Sequence, residues 1–270
     1  MAFTSSTLSL EITRHVATLW LDRPDKLNAI SFDMWGDFMR AMDAVAADEN
    51  IRAVVIAGRG KSFCVGIDLA SLGQAPDLST TSGCLEQLQH TRLCQDGITA
   101  IARCPVPVIA AIHSHCLGAG VDLATACDIR LASEDALFGV RETRIGIVAD
   151  VGTLQRLPGV VSAGHVAELA YTGKDIPAAR AEKIGLVNDV YPDADAVYQA
   201  ALALAGEIAA NAPLAVRGTK FVLQQSEGMT TDQSLLLNGL WTMISSLKSN
   251  DLKEAMQAFM EKRAPEFSGS

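Results

Sequence analysis

The chain has 270 residues, 49% of them hydrophobic, enough to bury a large core as one extended domain or as a domain with a small appendage. A formal net charge of -9 opposes binding to nucleic acid or to an anionic membrane surface, and no segment reaches the roughly 18 uninterrupted apolar residues of a membrane span. Cys64, Cys84, Cys94, Cys104, Cys116 and Cys127 show neither CxxC pairing nor metal spacing, which predicts reduced core thiols rather than a disulfide framework. No N-terminal stretch joins basic residues to a long apolar run, and Ser268-Gly269-Ser270 is no peroxisomal address, so the expected setting is cytoplasmic.

Residues 8–12 and 16–21 alternate in hydrophobicity and predict a hairpin turning at 13–15, with Arg23-Pro24 ending its second strand. A helix follows from Ser31 as N-cap. Asp33 sits in its first turn, Phe32, Trp35, Phe38, Met39 and Met42 form its apolar face, and charges close it near Asp48. Residues 53–57 read as a buried strand, which the glycine-bearing segment 58–68 leaves through a tight loop. Beyond it, 76–83 is expected to be mobile, 84–102 helical and 107–112 a strand. Gly118 starts a short helix, and 129–132 is another strand. Helical patterns cover 150–156, 162–171, 178–183, 195–210, 214–225, 231–247 and 251–262, with one strand at 187–191. The alternation predicts an α/β layered architecture without a fixed repeat. A boundary near Asn211 divides a core, 1–210, from a helical C-terminal region, 211–270. There Trp241, Met243, Ile244 and Leu247 face either a neighbouring subunit or the protein's own core.

Asp122, Glu142 and Asp150 punctuate the most apolar, glycine-bearing third of the chain and read as a carboxylate-lined pocket. Apolar neighbours there raise carboxyl pKa values toward neutrality, where paired acids move protons. Each also has a plain structural reading: Asp122 as an acid in a helix's first turn, Asp150 as an N-cap, Glu142 as the partner of Arg141 or Arg144. Asp68 reads as a cap of the turn after it. His113 and His115 read as strand-end residues, since their spacing is not that of a helical zinc site, and no metal is expected.

Leu21-Asp-Arg-Pro-Asp-Lys-Leu-Asn-Ala29, Phe63-Cys-Val-Gly-Ile-Asp68, Pro107-Val-Ile-Ala-Ala-Ile112, Gly118-Ala-Gly-Val-Asp122, Cys127-Asp-Ile-Arg130, Phe138-Gly-Val-Arg-Glu142, Leu154-Gln-Arg-Leu157 and the tail Glu261-Lys-Arg-Ala-Pro-Glu-Phe267 occur in that order. On these motifs the chain resembles the enoyl-CoA hydratase/isomerase (crotonase) family over almost its whole length. The resemblance implies a crotonase-like spiral of repeated β-β-α units, with a helical C-terminal region for oligomerisation into a homotrimer or homohexamer. It implies an acyl-CoA thioester as substrate, CoA being part of that substrate and no further cofactor being needed. The thioester oxygen would lie between the backbone N–H groups of Ile67 and Ala119, where one oriented donor contributes about 3 kcal/mol. Many relatives have glycine where Ala119 stands, and alanine supplies the same N–H. For the CoA phosphates the family pattern offers Arg23, Lys26 and Lys262, each of which reads equally as solvated surface charge.

Hydratases of this family use two glutamates, and the aligned positions here are Asp122 and Glu142. Aspartate is one methylene shorter, and misplacement by about 1 Å costs about two orders of magnitude in rate, which disfavours ordinary hydration. Where hydratases usually carry glycine the chain has Asp150, and the set Asp122, Glu142, Asp150 is similar to that of the Δ3,5-Δ2,4-dienoyl-CoA isomerase branch. That likeness implies that Asp150 takes the C2 proton, the amides hold the dienolate, Glu142 protonates C6 and Asp122 positions or tunes the pair, in unsaturated fatty-acid degradation. The alternatives are an enoyl-CoA hydratase, a Δ3-Δ2-enoyl-CoA isomerase, or a noncatalytic acyl-CoA-binding scaffold. Acyl-pocket residues are expected within 69–93.

Overall fold

Alternating apolar residues pair β1 (Leu8–Thr13) and β2 (Val16–Leu21) as an antiparallel hairpin around Arg14, which takes a φ of 55°. The computed structural model describes residues 3–70 and 76–270, the side chains of Ile244 and Ser246 excepted; 71–75, part of the expected acyl-pocket segment, and the side chain of Ile244 lie outside the described residues. α1 (Phe32–Ala47) follows Ser31, β3 (Ala53–Gly58) leads toward α2 (Thr81–Ala102), and β4 (Val108–Ile112) toward β5 (His115–Leu117) and α3 (Ala119–Ala126). Then come β6 (Ile129–Ser133), β7 (Leu137–Gly139), α4 (Thr153–Arg156), α5 (Ala163–Thr172), β8 (Ile176–Pro177), α6 (Ala178–Lys183) and β9 (Asp189–Tyr191). α7 (Ala194–Ala209), α8 (Pro213–Gln225), α9 (Thr231–Thr242) and α10 (Asn250–Glu261) complete the order.

The larger sheet runs β1-β2-β3-β4-β6-β9, parallel from β2 onward. β3 and β4 are buried along their whole length, as strands covered on both faces must be. Alternation divides their side chains: Val54, Ile56 and Ala110 pack with Phe38 and Ile98 of α1 and α2, while Val55, Ile109 and Ala111 pack with Val197 and Ala201 of α7. A second, small sheet, β5-β7-β8, stands apart from the first. Two isolated bridges, Cys64 to Cys116 and Ile30 to Ile67, stitch the loop at 62–68 between β5 and the segment before α1. That stitching positions the site.

Several expectations need correction. Trp35, Phe38 and Met42 of α1 are buried as expected, joined by Met34, Ala41 and Val45, but Phe32 is exposed against His90 and Met39 is only half-buried. The region expected to be mobile gives way to α2 at Thr81, because the Thr80 hydroxyl accepts the Gly83 N–H and caps the helix. The helix expected over 150–156 begins only at Thr153, since Gly152 holds a φ of 133°. The helix over 231–247 ends as an α-helix at Thr242 and closes with a π turn, Met243–Leu247. Cys84 is exposed, not a core thiol, whereas Cys64, Cys104, Cys116 and Cys127 are buried.

In the C-terminal region, α8 is tied to the core by Lys220, whose buried Nζ donates to the Val106 carbonyl (2.9 Å) and to Asp128 (2.6 Å). Trp241 packs on Phe221 with ring centroids 5.4 Å apart, as the intramolecular reading foresaw, while Met243 and Leu247 are exposed. α9 and α10 also leave Leu235, Leu236, Leu240, Met256, Phe259 and Met260 open. Among the described residues no single helix is long and apolar enough to cross a membrane.

Candidate active site

Two backbone donors face one cavity because of how their peptides are hung. Gly118 adopts φ 52° and ψ −121° before α3, and its carbonyl accepts the Val121 N–H (2.7 Å) as the first turn forms. In a trans peptide the N–H lies opposite the carbonyl, so the Ala119 N–H points out of the helix end. The Gly66 carbonyl likewise accepts the Ile30 N–H (2.8 Å), which leaves the Ile67 N–H on the other edge of that peptide. Neither N–H has an acceptor among the described residues. They are neighbours: a Cβ on Gly66, whose φ is 101°, would stand 3.7 Å from the Ala119 nitrogen. The Ala119 methyl is buried in the core, so alanine in place of glycine leaves its N–H clear.

Ile67, Ala119, Asp122, Glu142 and Asp150 all line this cavity, whose volume is about 430 Å³. Asp122 is 1% exposed. Its Oδ1 accepts the backbone N–H of Thr153, and it thereby caps α4, which has no side-chain cap of its own. Burial raises its pKa to about 6, against the lowering effect of the Thr153 bonds. Glu142 opens a 3-10 turn, Glu142–Ile145; its Oε2 is buried without a hydrogen-bond partner among the described residues. Burial, reinforced by the charges of Asp122 and Asp150, raises its pKa to about 7. The expected pairing of Glu142 with an arginine is absent among the described residues, and Arg141 pairs with Asp175 instead.

Asp150 departs from expectation. It lines the cavity but is exposed, so the chain does not give it the dry environment foreseen for it. Its carbonyl accepts from Gln95 Nε2 (2.7 Å), and Gly152, not Asp150, is the N-cap of α4. Its charge adds to burial in pushing the nearby Cys94 thiol up to about 11.

The cations divide. Arg23 is engaged within the fold: its guanidinium donates to the Ala29 carbonyl and pairs with Asp68 at 2.9 Å. Asp68 is therefore an ion-pair partner as well as a cap, its Oδ1 accepting the Ala70 N–H (3.3 Å). Lys26 is exposed at the end of a 3-10 turn, Pro24–Lys26, and Lys262 is exposed just beyond α10; neither lines the cavity. His113 contacts the Gly60 carbonyl, and His115 contacts Ser62 and Ser114. No group of three or more metal-ligating side chains occurs among the described residues. A more open cleft of about 750 Å³ lies beside Phe3 and Phe32, but its buried acid, Asp37, is taken up by Thr7 and Arg40.

Sequence reasoning missed Thr153 and Ile30, whose backbone groups aim Asp122 and Ile67; a backbone contact across 31 or more residues leaves no mark on residue type. The fold and cavity define an α/β protein equipped for carboxylate acid–base chemistry beside two unengaged amide donors. The profile described as enoyl-CoA hydratase/isomerase matches residues 11–270, and the chain belongs to that family. It is 41% identical over 256 residues to the mitochondrial Δ3,5-Δ2,4-dienoyl-CoA isomerase of Dictyostelium discoideum, covering 93% of this chain and 87% of that one. It is 40% identical over 269 residues to the peroxisomal Δ3,5-Δ2,4-dienoyl-CoA isomerase of Arabidopsis thaliana, covering 96% of each. The crystal structure of an enoyl-CoA hydratase from Bacillus anthracis superposes with a TM-score of 0.90 at 31% identity, covering 98% of this chain and 100% of that one. The isomerase relatives carry mitochondrial and peroxisomal names, which overturns the cytoplasmic expectation. Reduced thiols separate oxidising from reducing settings but do not tell one reducing compartment from another.

Proposed function

We propose that the protein isomerises 3,5-dienoyl-CoA to 2,4-dienoyl-CoA in unsaturated fatty-acid degradation. The observation that carries this reading is the division of labour among the three acids that line the cavity: Asp122 accepts the Thr153 N–H, whereas Glu142 keeps a buried oxygen without a partner among the described residues and Asp150 stands exposed at the rim. A hydratase needs two carboxylates on one water, and here one of the aligned pair is already engaged. The sequence similarity to proteins named as dienoyl-CoA isomerases supports the same choice.

In this mechanism Asp150 removes a proton from C2, and the electron pair spreads through the diene onto the thioester oxygen. The N–H groups of Ile67 and Ala119 stabilise that oxygen as charge develops. Glu142, whose burial raises its pKa to about 7 so that a large share holds its proton at neutral pH, gives that proton to C6, leaving double bonds at C2 and C4. Asp150 is then protonated and Glu142 ionised, and exchange with solvent at the exposed rim restores them. The bound acyl chain covers Asp150 and dries it. Lys26 and Lys262 serve the CoA phosphates, and the open apolar faces of α9 and α10 join protomers into a homotrimer or homohexamer.

The test gives the purified protein a 3,5-dienoyl-CoA and follows the ultraviolet band of the conjugated diene, with 2-enoyl-CoA hydration and 3-enoyl-CoA isomerisation measured in parallel. Asp150→Asn and Glu142→Gln are each expected to lose at least about 100-fold in turnover while still binding the thioester. Fast hydration without diene formation would reject the isomerase, and indifference to both substitutions would leave a binding scaffold.

A further inference from the structure

We infer that Arg23 is a positioning residue that aims and polarises the Ile67 N–H through two linked peptide groups, and not a contact for the CoA phosphates; this rests on the amide-donor reading above. The chain of contacts is continuous. The Arg23 guanidinium donates to the Ala29 carbonyl; the same peptide presents the Ile30 N–H, which donates to the Gly66 carbonyl; the same peptide as that carbonyl presents the Ile67 N–H at the cavity. Hydrogen bonds in series polarise one another, and a charged donor at one end strengthens the chain. A positive charge two peptides away therefore makes the final N–H a better donor to an oxyanion.

The other arm of the guanidinium holds the residue after Ile67. Asp68 is bound through its side chain to Arg23 and through its N–H to the Ile30 carbonyl (2.9 Å), so the peptides on both sides of Ile67 are fixed to one segment. That segment is itself locked: the Arg23 N–H donates to the Asn28 side chain (2.9 Å), and fully buried Asn28 donates to the Arg59 (2.9 Å) and Ser62 (2.7 Å) carbonyls. Leu27 and Asn28 both take positive φ to make this turn. The hydrogen bond from Arg23 holds the Asp68 carboxyl below the usual carboxylate range, so the pair stays charged. Arginine is required because its planar fork serves the Ala29 carbonyl and Asp68 at once; lysine offers a single charged point.

The test uses cinnamoyl-CoA, whose absorption moves to longer wavelength when its thioester carbonyl is polarised, together with turnover of 3,5-dienoyl-CoA and binding of free CoA. In Arg23→Gln the bound band is expected to return most of the way to its position in water, and kcat to fall about tenfold or more, while free CoA affinity stays within about twofold. Arg23→Lys is expected to give an intermediate band, and Asp68→Asn, which keeps the bond to Ala29, to retain the shift. Those two variants carry the test if Arg23→Gln fails to fold. The inference is overturned if Arg23→Gln weakens free CoA as much as substrate and leaves the band in place, the signature of a phosphate contact, or if Arg23→Lys matches the parent in both band and kcat. If the parent protein itself gives no shift, the amide-donor reading fails first and the relay falls with it; a shift in the parent that survives undiminished in both Arg23→Gln and Arg23→Lys sinks the relay alone.

Discussion

Glu142 keeps one carboxylate oxygen buried without a hydrogen-bond partner among the described residues, an arrangement that favours the neutral acid and sets a pH dependence with a definite sign. In the folded protein its pKa is about 7, above the ordinary 4.5. Below the ordinary value both states hold the proton; as pH rises toward 7 the unfolded chain ionises and the folded one resists, so stability declines across that window and then levels. Glu142→Gln removes the effect and is expected to gain about 1–2 kcal/mol on the parent between pH 4 and pH 8, after allowance for solvent screening. Thermal melts at the two pH values measure it. Turnover by the parent is expected to fall as pH passes about 7, where the acid loses the proton it must give. Asp122 shows how residue type alone misleads: the sequence marks an acid in a helix's first turn, and that reading is right, yet the side chain's contact is the N-terminus of a different helix.

At the level of elements, the Gly118 turn joins β5 to α3 and holds both the Ala119 donor and the space for Glu142. A Cβ at Gly118 would lie 3.2 Å from Glu142 Oε1, and a φ of 52° with ψ −121° suits glycine alone. Gly118→Ala is expected to cost about 1–3 kcal/mol in stability and about 100-fold in kcat, read from denaturant titration and the diene assay. Much of the scaffold around this turn was legible. β1 and β2 alternate, β3 and β4 are unbroken apolar runs, and Gly118 marks its helix start. β5, β7 and β8 were not legible, because strands of two or three residues show no period and exist only through partners elsewhere in the chain. The same limit hid the role of Arg23. Its charge is visible in the sequence, but its partner Asp68 lies 45 residues away and its other acceptor is a backbone carbonyl.

For the molecule as a whole, the helices that follow Asn211 are not loosely attached to the residues before them. Lys220 carries α8 onto the core through a charged contact with Asp128, which also accepts the Val108 N–H (2.7 Å) at the start of β4. Lys220→Ala is expected to destabilise by roughly 2–4 kcal/mol, because it strands a partly buried carboxylate and the Val106 carbonyl. Hydrogen exchange is expected to localise the loosening to α8 and the ends of β4. The cavity itself is gathered from the neighbourhoods of residues 66–68, 118–122 and 142–150, brought together by parallel pairings across long crossovers. A partly folded chain therefore has nothing to offer a ligand, and affinity arrives only with the finished molecule. Occupancy then works as a ratchet on the whole structure: ligand at 100 times its dissociation constant deepens the native state by about 2.7 kcal/mol, felt in the hairpin at one end of the large sheet as much as at the acids themselves.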